Sequence, residues 1–267
     1  NLNDDQMAHA KSGQWWTNEG QRALANNSVA YKGKPEMGTF MREWMSLYDS
    51  KSGERGIFNR QSAVKQAAKN GRRKLHNATL IDDTDSQYTM HPQRDGSSYI
   101  DFGCNPCSEI ILRPYQFCNL SEVVARETDT LASLKEKVRL ATILGTFQST
   151  LTNFRYLRKV WQNNTEEERL LGVSLTGIMD CATLHKGKEV ADTLEMLRVT
   201  AIEANAAMAQ QLGINQSTAI TCVKPSGTVS QLVDSASGIH ARHNPYYIRT
   251  VRGDNKDPLT QFLISQD

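Results

Sequence analysis

The chain has 267 residues and a formal net charge of +2, enough for one large α/β domain or two small ones around a sizeable core. The near balance of charge argues against a nucleic-acid partner, and a short basic cluster such as Gly71-Arg72-Arg73-Lys74 reads as a solvated face. No apolar run approaches the roughly 18 residues that span a bilayer, residues 1–15 hold no apolar signal-peptide core, and five cysteines do not make a disulfide scaffold at this length; the expectation is a reducing, cytoplasmic compartment with no membrane partner.

Residues 4–27 and 35–49 carry polar-rich helical patterns, with Asn26-Asn27-Ser28-Val29-Ala30-Tyr31 extended between them. Gly53 to Asn59 reads as a loop, followed by a helix to about Asn70, and residues 75–96 read as irregular and polar. Tyr99 to Gly103 reads as a strand end and Asn105-Pro106 as a turn, because proline restricts the residue before it. A helix is expected from about Leu131 to Phe154, capped by Asp129 or Thr130. Its stripe is Leu134, Val138, Ala141, Gly145, Gln148 and Leu151, with Leu144 and Phe147 beside it. Leu171 to Leu175 is a short buried strand. Residues 188–212 form the clearest helix, on Leu194, Leu197, Ala201, Ala204, Met208 and Leu212, and Gly213 stops it. Thr218 to Val223 is β-branched and apolar, a strand that runs into Lys224-Pro225-Ser226-Gly227-Thr228, with a helix starting near Val229. Tyr246 to Arg252 is another short strand, and Leu259 to Ile264 lies within a helix. Strands alternating with long helices imply parallel βα units and the α/β class.

Three of the five cysteines, Cys104, Cys107 and Cys118, fall within fifteen positions. A structural zinc site needs four ligands, usually as two close pairs. Cys104 and Cys107 could form one pair, but Cys118, Cys181 and Cys222 have no close cysteine and His91 lies across a polar loop, so no metal is expected. A thioredoxin-like pair sits at a helix start, whereas Ile110-Ile111-Leu112-Arg113-Pro114 is a poor one. Free cysteines are often buried small hydrophobes, which suits Cys181 and Cys222 better than Cys107 with its polar neighbours. In an extended segment Asn105, Cys107 and Glu109 share one face. They would present an amide, a thiol and a carboxylate to one pocket, so a radical site also stays open.

Asn105-Pro106-Cys107-Ser108-Glu109-Ile110 resembles the finger loop of ribonucleotide reductase catalytic subunits, and with Phe117-Cys118-Asn119-Leu120 it is similar to the adenosylcobalamin-dependent (class II) form. Lys224 to Gln231 resembles that family's substrate-phosphate loop. Asn26 to Tyr31, Gly38 to Trp44 and Ser52 to Arg60 are similar to its monomeric triphosphate-reducing branch. The resemblance implies part of a ten-stranded α/β barrel, built from two parallel half-sheets around a central finger loop. It implies that Cys107 becomes the thiyl radical taking hydrogen from the ribose 3′ carbon, that Glu109 takes the 3′-hydroxyl proton, and that Asn105 orients both. Cys118 would be one of two thiols that reduce the 2′ carbon and end as a disulfide, and Cys104 would be structural. Substrate contacts would come from Pro225, Ser226, Gly227, Thr228, Val229 and Ser230, with Asn27 and Ser28. The implied cofactor is adenosylcobalamin, and the implied partners are the ribonucleotide and a thioredoxin-like reductant.

That family pattern also needs a second reducing cysteine on an early barrel strand, an allosteric region and a C-terminal shuttle pair of cysteines, and no position here matches them. The expectation is therefore that residues 1–267 are an interior portion of a larger or split catalytic subunit, completed by other segments or chains. Two other readings stay open: a catalytically incomplete assembly piece of a reductase, and a thiol oxidoreductase using Cys104 and Cys107.

Overall fold

The computed structural model describes residues 4–31, 33–50, 55–68, 78–79, 89–90, 102–248 and 253–266. The basic cluster at 71–74 and the expected strand residues 99–101 and 249–252 lie outside them. The helical pattern of residues 4–27 resolves into short turns, α1 (Asp5–Ala8), α2 (Trp15–Asn18) and a 3₁₀ turn at Gly20–Leu24. Gly13, at φ +64°, interrupts it in the left-handed region that other residues avoid. Strand β1 (Ser28–Tyr31) then leads into helix α3 (Met37–Ser50). The expected loop at 53–59 contains a strand instead, β2 (Gly56–Asn59), which pairs in parallel with β1 from Ser28↔Gly56 to Tyr31↔Asn59. Packing decides this: Val29 and Tyr31 are buried, and Arg55, just before β2, grips Glu43 of α3 through two bonds of 2.6 Å.

Helix α4 (Arg60–Ala68) follows as expected. Its Ala63, Val64 and Ala67 pack with Phe102 into a small core that Phe58 and Ile111 flank. Within the expected irregular stretch, β3 (Ala78–Thr79) and β4 (Thr89–Met90) form a short antiparallel ladder. Strands β5 (Gly103–Cys104) and β6 (Ile111–Leu112) make an antiparallel hairpin.

The larger core belongs to a parallel βα unit. Strand β7 (Asn119–Val124) leads to helix α5 (Leu131–Gln148) and helix α6 (Lys159–Glu168), then to strand β8 (Leu171–Thr176). β7 and β8 pair in parallel, Asn119↔Leu171 through Val124↔Thr176. Past α7 (Ala182–His185) and α8 (Val190–Leu212), the chain returns along the free edge of β8. There Leu171 and Val173 donate to the Ala219 and Ile220 carbonyls at 3.0 and 2.8 Å. The strand expected over 218–223 is therefore present as one parallel bridge, Val173↔Thr221, and not as a full ladder. Helices α9 (Thr228–Leu232) and α10 (Pro258–Ser265) complete the order, and Tyr246–Ile248 form no strand.

Val123, Leu134, Val138, Leu171, Val173, Leu197, Ala201 and Ile220 share this core. Thr130 caps α5 through a reciprocal capping box with Ser133. The buried stripe of α5 departs from the expected one: Thr142 and Thr146 are buried, while Leu144, Phe147 and Leu151 are exposed. Both threonine hydroxyls bond carbonyls one turn back, at 2.7 and 2.8 Å, and so bury at little cost. On α8 the buried line is Thr193, Leu197, Ala201, Asn205 and Ala209. Asn205 donates to Thr146 Oγ1 at 2.9 Å and to Ser217 Oγ at 3.0 Å, and accepts from Ser217 N at 2.9 Å. This buried amide ties α8 to α5 and to the approach of the third strand. Gly213 ends α8 in the left-handed conformation, as expected. Among the described residues no closed barrel forms, and no helix is long and apolar enough to cross a membrane.

Candidate functional site: the Cys107 hairpin and the Lys224 segment

Asn105 to Ile110 is a tight turn at the tip of the β5–β6 hairpin, not the extended run that alternation suggested. Asn105 N donates to Ile110 O at 3.2 Å and Ser108 N to Asn105 O at 2.9 Å. Asn105 Oδ1 in turn accepts from Ile110 N at 3.0 Å. Ser108 takes φ +64°, which a non-glycine residue adopts only under constraint. The Cys104 thiol reaches Ser108 Oγ at 3.5 Å, bracing that turn. The segment after Cys107 is a strand and not a helix, so it lacks the N-terminal dipole of a thioredoxin-like pair.

The turn sends its two reactive side chains different ways. Cys107 is exposed at the tip. Glu109 points inward, with its side chain only 1% exposed, and Oε1 accepts from Lys224 Nζ at 2.9 Å. The same ammonium lies 3.7 Å from Cys107 Sγ. Glu109 Oε2 is buried and has no hydrogen-bond partner among the described residues. Burial alone would raise the Glu109 pKa. The Lys224 hydrogen bond, the Glu109 backbone N–H and the Asn105 amide outweigh it, and the carboxyl sits below its usual range.

Cys118 immediately precedes β7, on the face that Leu120 and Glu122 share. Burial, then the Glu109 charge, push its thiol up. Cys222 behaves alike: burial first, then Glu109 and Cys118, push it up to about 12. Cys181, by contrast, is fully buried in the larger core. Gly172 of β8 forms the floor here. A Cβ on it would meet Leu120 Cδ2 at 2.4 Å, Ile110 Cδ1 at 3.1 Å and Cys222 Sγ at 3.2 Å.

The structure thus brings Asn105, Cys107, Glu109 and Cys118 into one neighbourhood. Asn26 Nδ2 donates to Pro106 O, which joins the approach to β1 to the hairpin. Asn27 itself donates to Met7 O at 2.9 Å, and Ser28 lies beside Gly56. Pro225, Gly227, Thr228 and Val229 are exposed at the start of α9. Ser226 and Ser230 turn inward, Ser230 N donating to Ser226 Oγ at 3.1 Å and Ser230 Oγ to Ser226 O at 2.6 Å. Those two hydroxyls serve the turn and not the surface. Sequence reasoning missed three residues: Lys224, quoted only as part of a loop, Cys222, read as a small hydrophobe, and Glu122, whose Oε1 is buried without a partner among the described residues. The period-two run Cys118, Leu120, Glu122 was the signal for the last.

No family model matches the chain. Among curated proteins, it is 31% identical over 187 residues to the adenosylcobalamin-dependent ribonucleoside-triphosphate reductase of Lactobacillus acidophilus, covering 60% of this chain and 25% of that protein. The protein of the same name from Euglena gracilis is 30% identical over 165 residues, covering 61% and 22%. A crystal structure of a B12-dependent (class II) ribonucleotide reductase superposes with a TM-score of 0.56 at 22% identity, over 89% of this chain and 33% of that one. The chain thus spans about a quarter of the length of the curated relatives it matches. The finger-loop residues, the Cys118 motif and the Lys224 loop fall in that family's order, and this chain is similar in sequence and in fold to adenosylcobalamin-dependent ribonucleotide reductases.

Proposed function

We propose that the protein containing this chain reduces ribonucleotides, as triphosphates after its named relatives, to deoxyribonucleotides by thiyl-radical chemistry. The observation that carries this reading is the pairing of an exposed Cys107 thiol with a buried Glu109 that has one oxygen held and the other unpartnered. Cys107, as a thiyl radical, takes the 3′ hydrogen. The step is reversible because S–H and activated ribose C–H bonds have similar strength. Glu109 Oε2 accepts the 3′-hydroxyl proton, the task of a carboxylate kept ionised at neutral pH. Asn105 holds the turn that carries both. The 2′ hydroxyl leaves as water, and Cys118 with a second thiol from elsewhere in the protein supplies two electrons and becomes a disulfide. Cys107 then returns hydrogen to the 3′ carbon.

The exposed position of Cys107 suits a radical generator that approaches from outside the hairpin. Bound adenosylcobalamin would supply that radical. The exposed start of α9 at Gly227-Thr228-Val229, with Pro225, is the proposed phosphate contact; Ser226 and Ser230 shape it, and Asn27 and Ser28 border the substrate. β7, β8 and residues 219–222 would be neighbouring strands of a ten-stranded α/β barrel, completed by segments outside this chain. A thioredoxin-like reductant would restore the thiols.

The test uses the full-length protein with cofactor and dithiol. Cys107→Ser should abolish exchange of the 3′ hydrogen, because an alkoxyl radical is too hard to form. Cys118→Ser should retain exchange but yield no deoxynucleotide. Equal loss of exchange in both variants would remove Cys107 from the radical role.

A further inference from the structure

We propose that Lys224 is a positioning residue for this chemistry: its ammonium group pins one oxygen of Glu109 beside Cys107 and leaves the other free for the substrate hydroxyl. The inference deepens the function proposed above and rests on Glu109 being the base. Three observations carry it. Lys224 Nζ touches Glu109 Oε1 at 2.9 Å and lies 3.7 Å from Cys107 Sγ, so one cation bridges the two reactive groups. The Glu109 side chain is 1% exposed, so Lys224 is screened from it far less than a surface partner would be. Oε2 remains buried and unpartnered among the described residues.

Placement follows from the fold. Lys224 leaves the edge of β8 two residues after Cys222, whose N–H bonds Val173 O at 3.0 Å. The chain then turns under Gly238, whose Cβ position would lie 2.8 Å from Lys224 O. Among the described residues, the titratable groups that interact with Glu109 are Lys224, Cys118 and Cys222, with Cys107 beside the same Lys224 ammonium. Of these Lys224 alone is a cation. Burial pushes Glu109 up, and the Lys224 contact is the largest influence pulling it back below its usual range. The sign follows: Glu109 stays ionised at neutral pH and loses that state only as pH falls through its depressed value. Without the ammonium, burial is unopposed, and the base would protonate at higher pH.

In the full-length enzyme, Lys224→Met should move the acid limb of 3′-hydrogen exchange upward by roughly 1–3 pH units, the scale of removing an adjacent opposite charge. Lys224→Arg should restore it largely to the wild-type position. An unmoved acid limb, with KM for the nucleotide raised instead, would make Lys224 a phosphate ligand and overturn the proposal. Glu109→Gln separates the two layers. Exchange surviving in that variant overturns Glu109 as base, whereas its loss beside an unmoved limb in Lys224→Met overturns Lys224 alone. A readout independent of turnover and of variant folding is the carboxylate band of Glu109 in the wild-type, cofactor-free protein, followed by isotope-edited infrared titration and assigned by its loss in Glu109→Gln. Titration below the ordinary glutamate range is expected; titration within or above it overturns the proposal.

Discussion

Replacing Gly172 with alanine adds one methyl group beneath the hairpin, and its consequences can be worked from the neighbours. The new Cβ would lie 2.4 Å from Leu120 Cδ2, 3.1 Å from Ile110 Cδ1 and 3.2 Å from Cys222 Sγ. Ordinary contacts between carbons fall at about 3.5–4.0 Å, so Leu120 must withdraw by about 1 Å and the other two by a few tenths. All three contacts are side-chain tips, which can turn, so the cost falls within the roughly 1–3 kcal/mol of overpacking. Ile110 is buried and directly follows Glu109, and its N–H is held by Asn105. Its displacement therefore reaches the base. Hydrogen-exchange protection of the Asn119–Val124 and Leu171–Thr176 amides should fall by about 1–3 kcal/mol, and 3′-hydrogen exchange should slow. Adding Leu120→Ala should recover part of both losses, since the pair is in contact. A change under about 0.5 kcal/mol, with chemistry intact, would show that Leu120 yields freely and that Gly172 does not form the floor.

Two further substitutions probe separate parts of the site. Gly227 has an ordinary backbone conformation, φ −76°, and open space at its Cβ position; Gly227→Val should therefore fold normally and weaken nucleotide binding by roughly 1–3 kcal/mol, as for lost bonds to a charged group. Unchanged affinity by calorimetry would move the phosphate site elsewhere. Asn205→Ala leaves the Ser217 N–H and the Thr146 hydroxyl without their amide partner inside the core. It should lower stability by about 1–3 kcal/mol in chemical denaturation, and a change near zero would mean that the network rearranges at no cost.

Much of the architecture was legible without coordinates because local rules decide it. The Thr130 cap, the Gly213 stop and the long pattern at 188–212 placed their helices, and alternation of strand and helix foretold parallel pairing. The candidate chemistry of Asn105, Cys107, Glu109 and Cys118 came from the resemblance of their motifs to a known family, and not from spacing alone. What local rules could not decide was set by partners distant in the chain. β2 exists because β1 lies beside it, and Thr142, Thr146 and Asn205 are buried because hydrogen bonds within and between two helices satisfy them. The reactive face is not the alternate side of an extended segment but a turn closed by the Asn105 amide. Lys224, 115 residues from Glu109, meets it only after two βα crossovers bring the third strand segment to the edge of β8. No periodicity in a linear chain encodes that contact, because an ion pair depends on distance in space, and the crossovers alone set that distance.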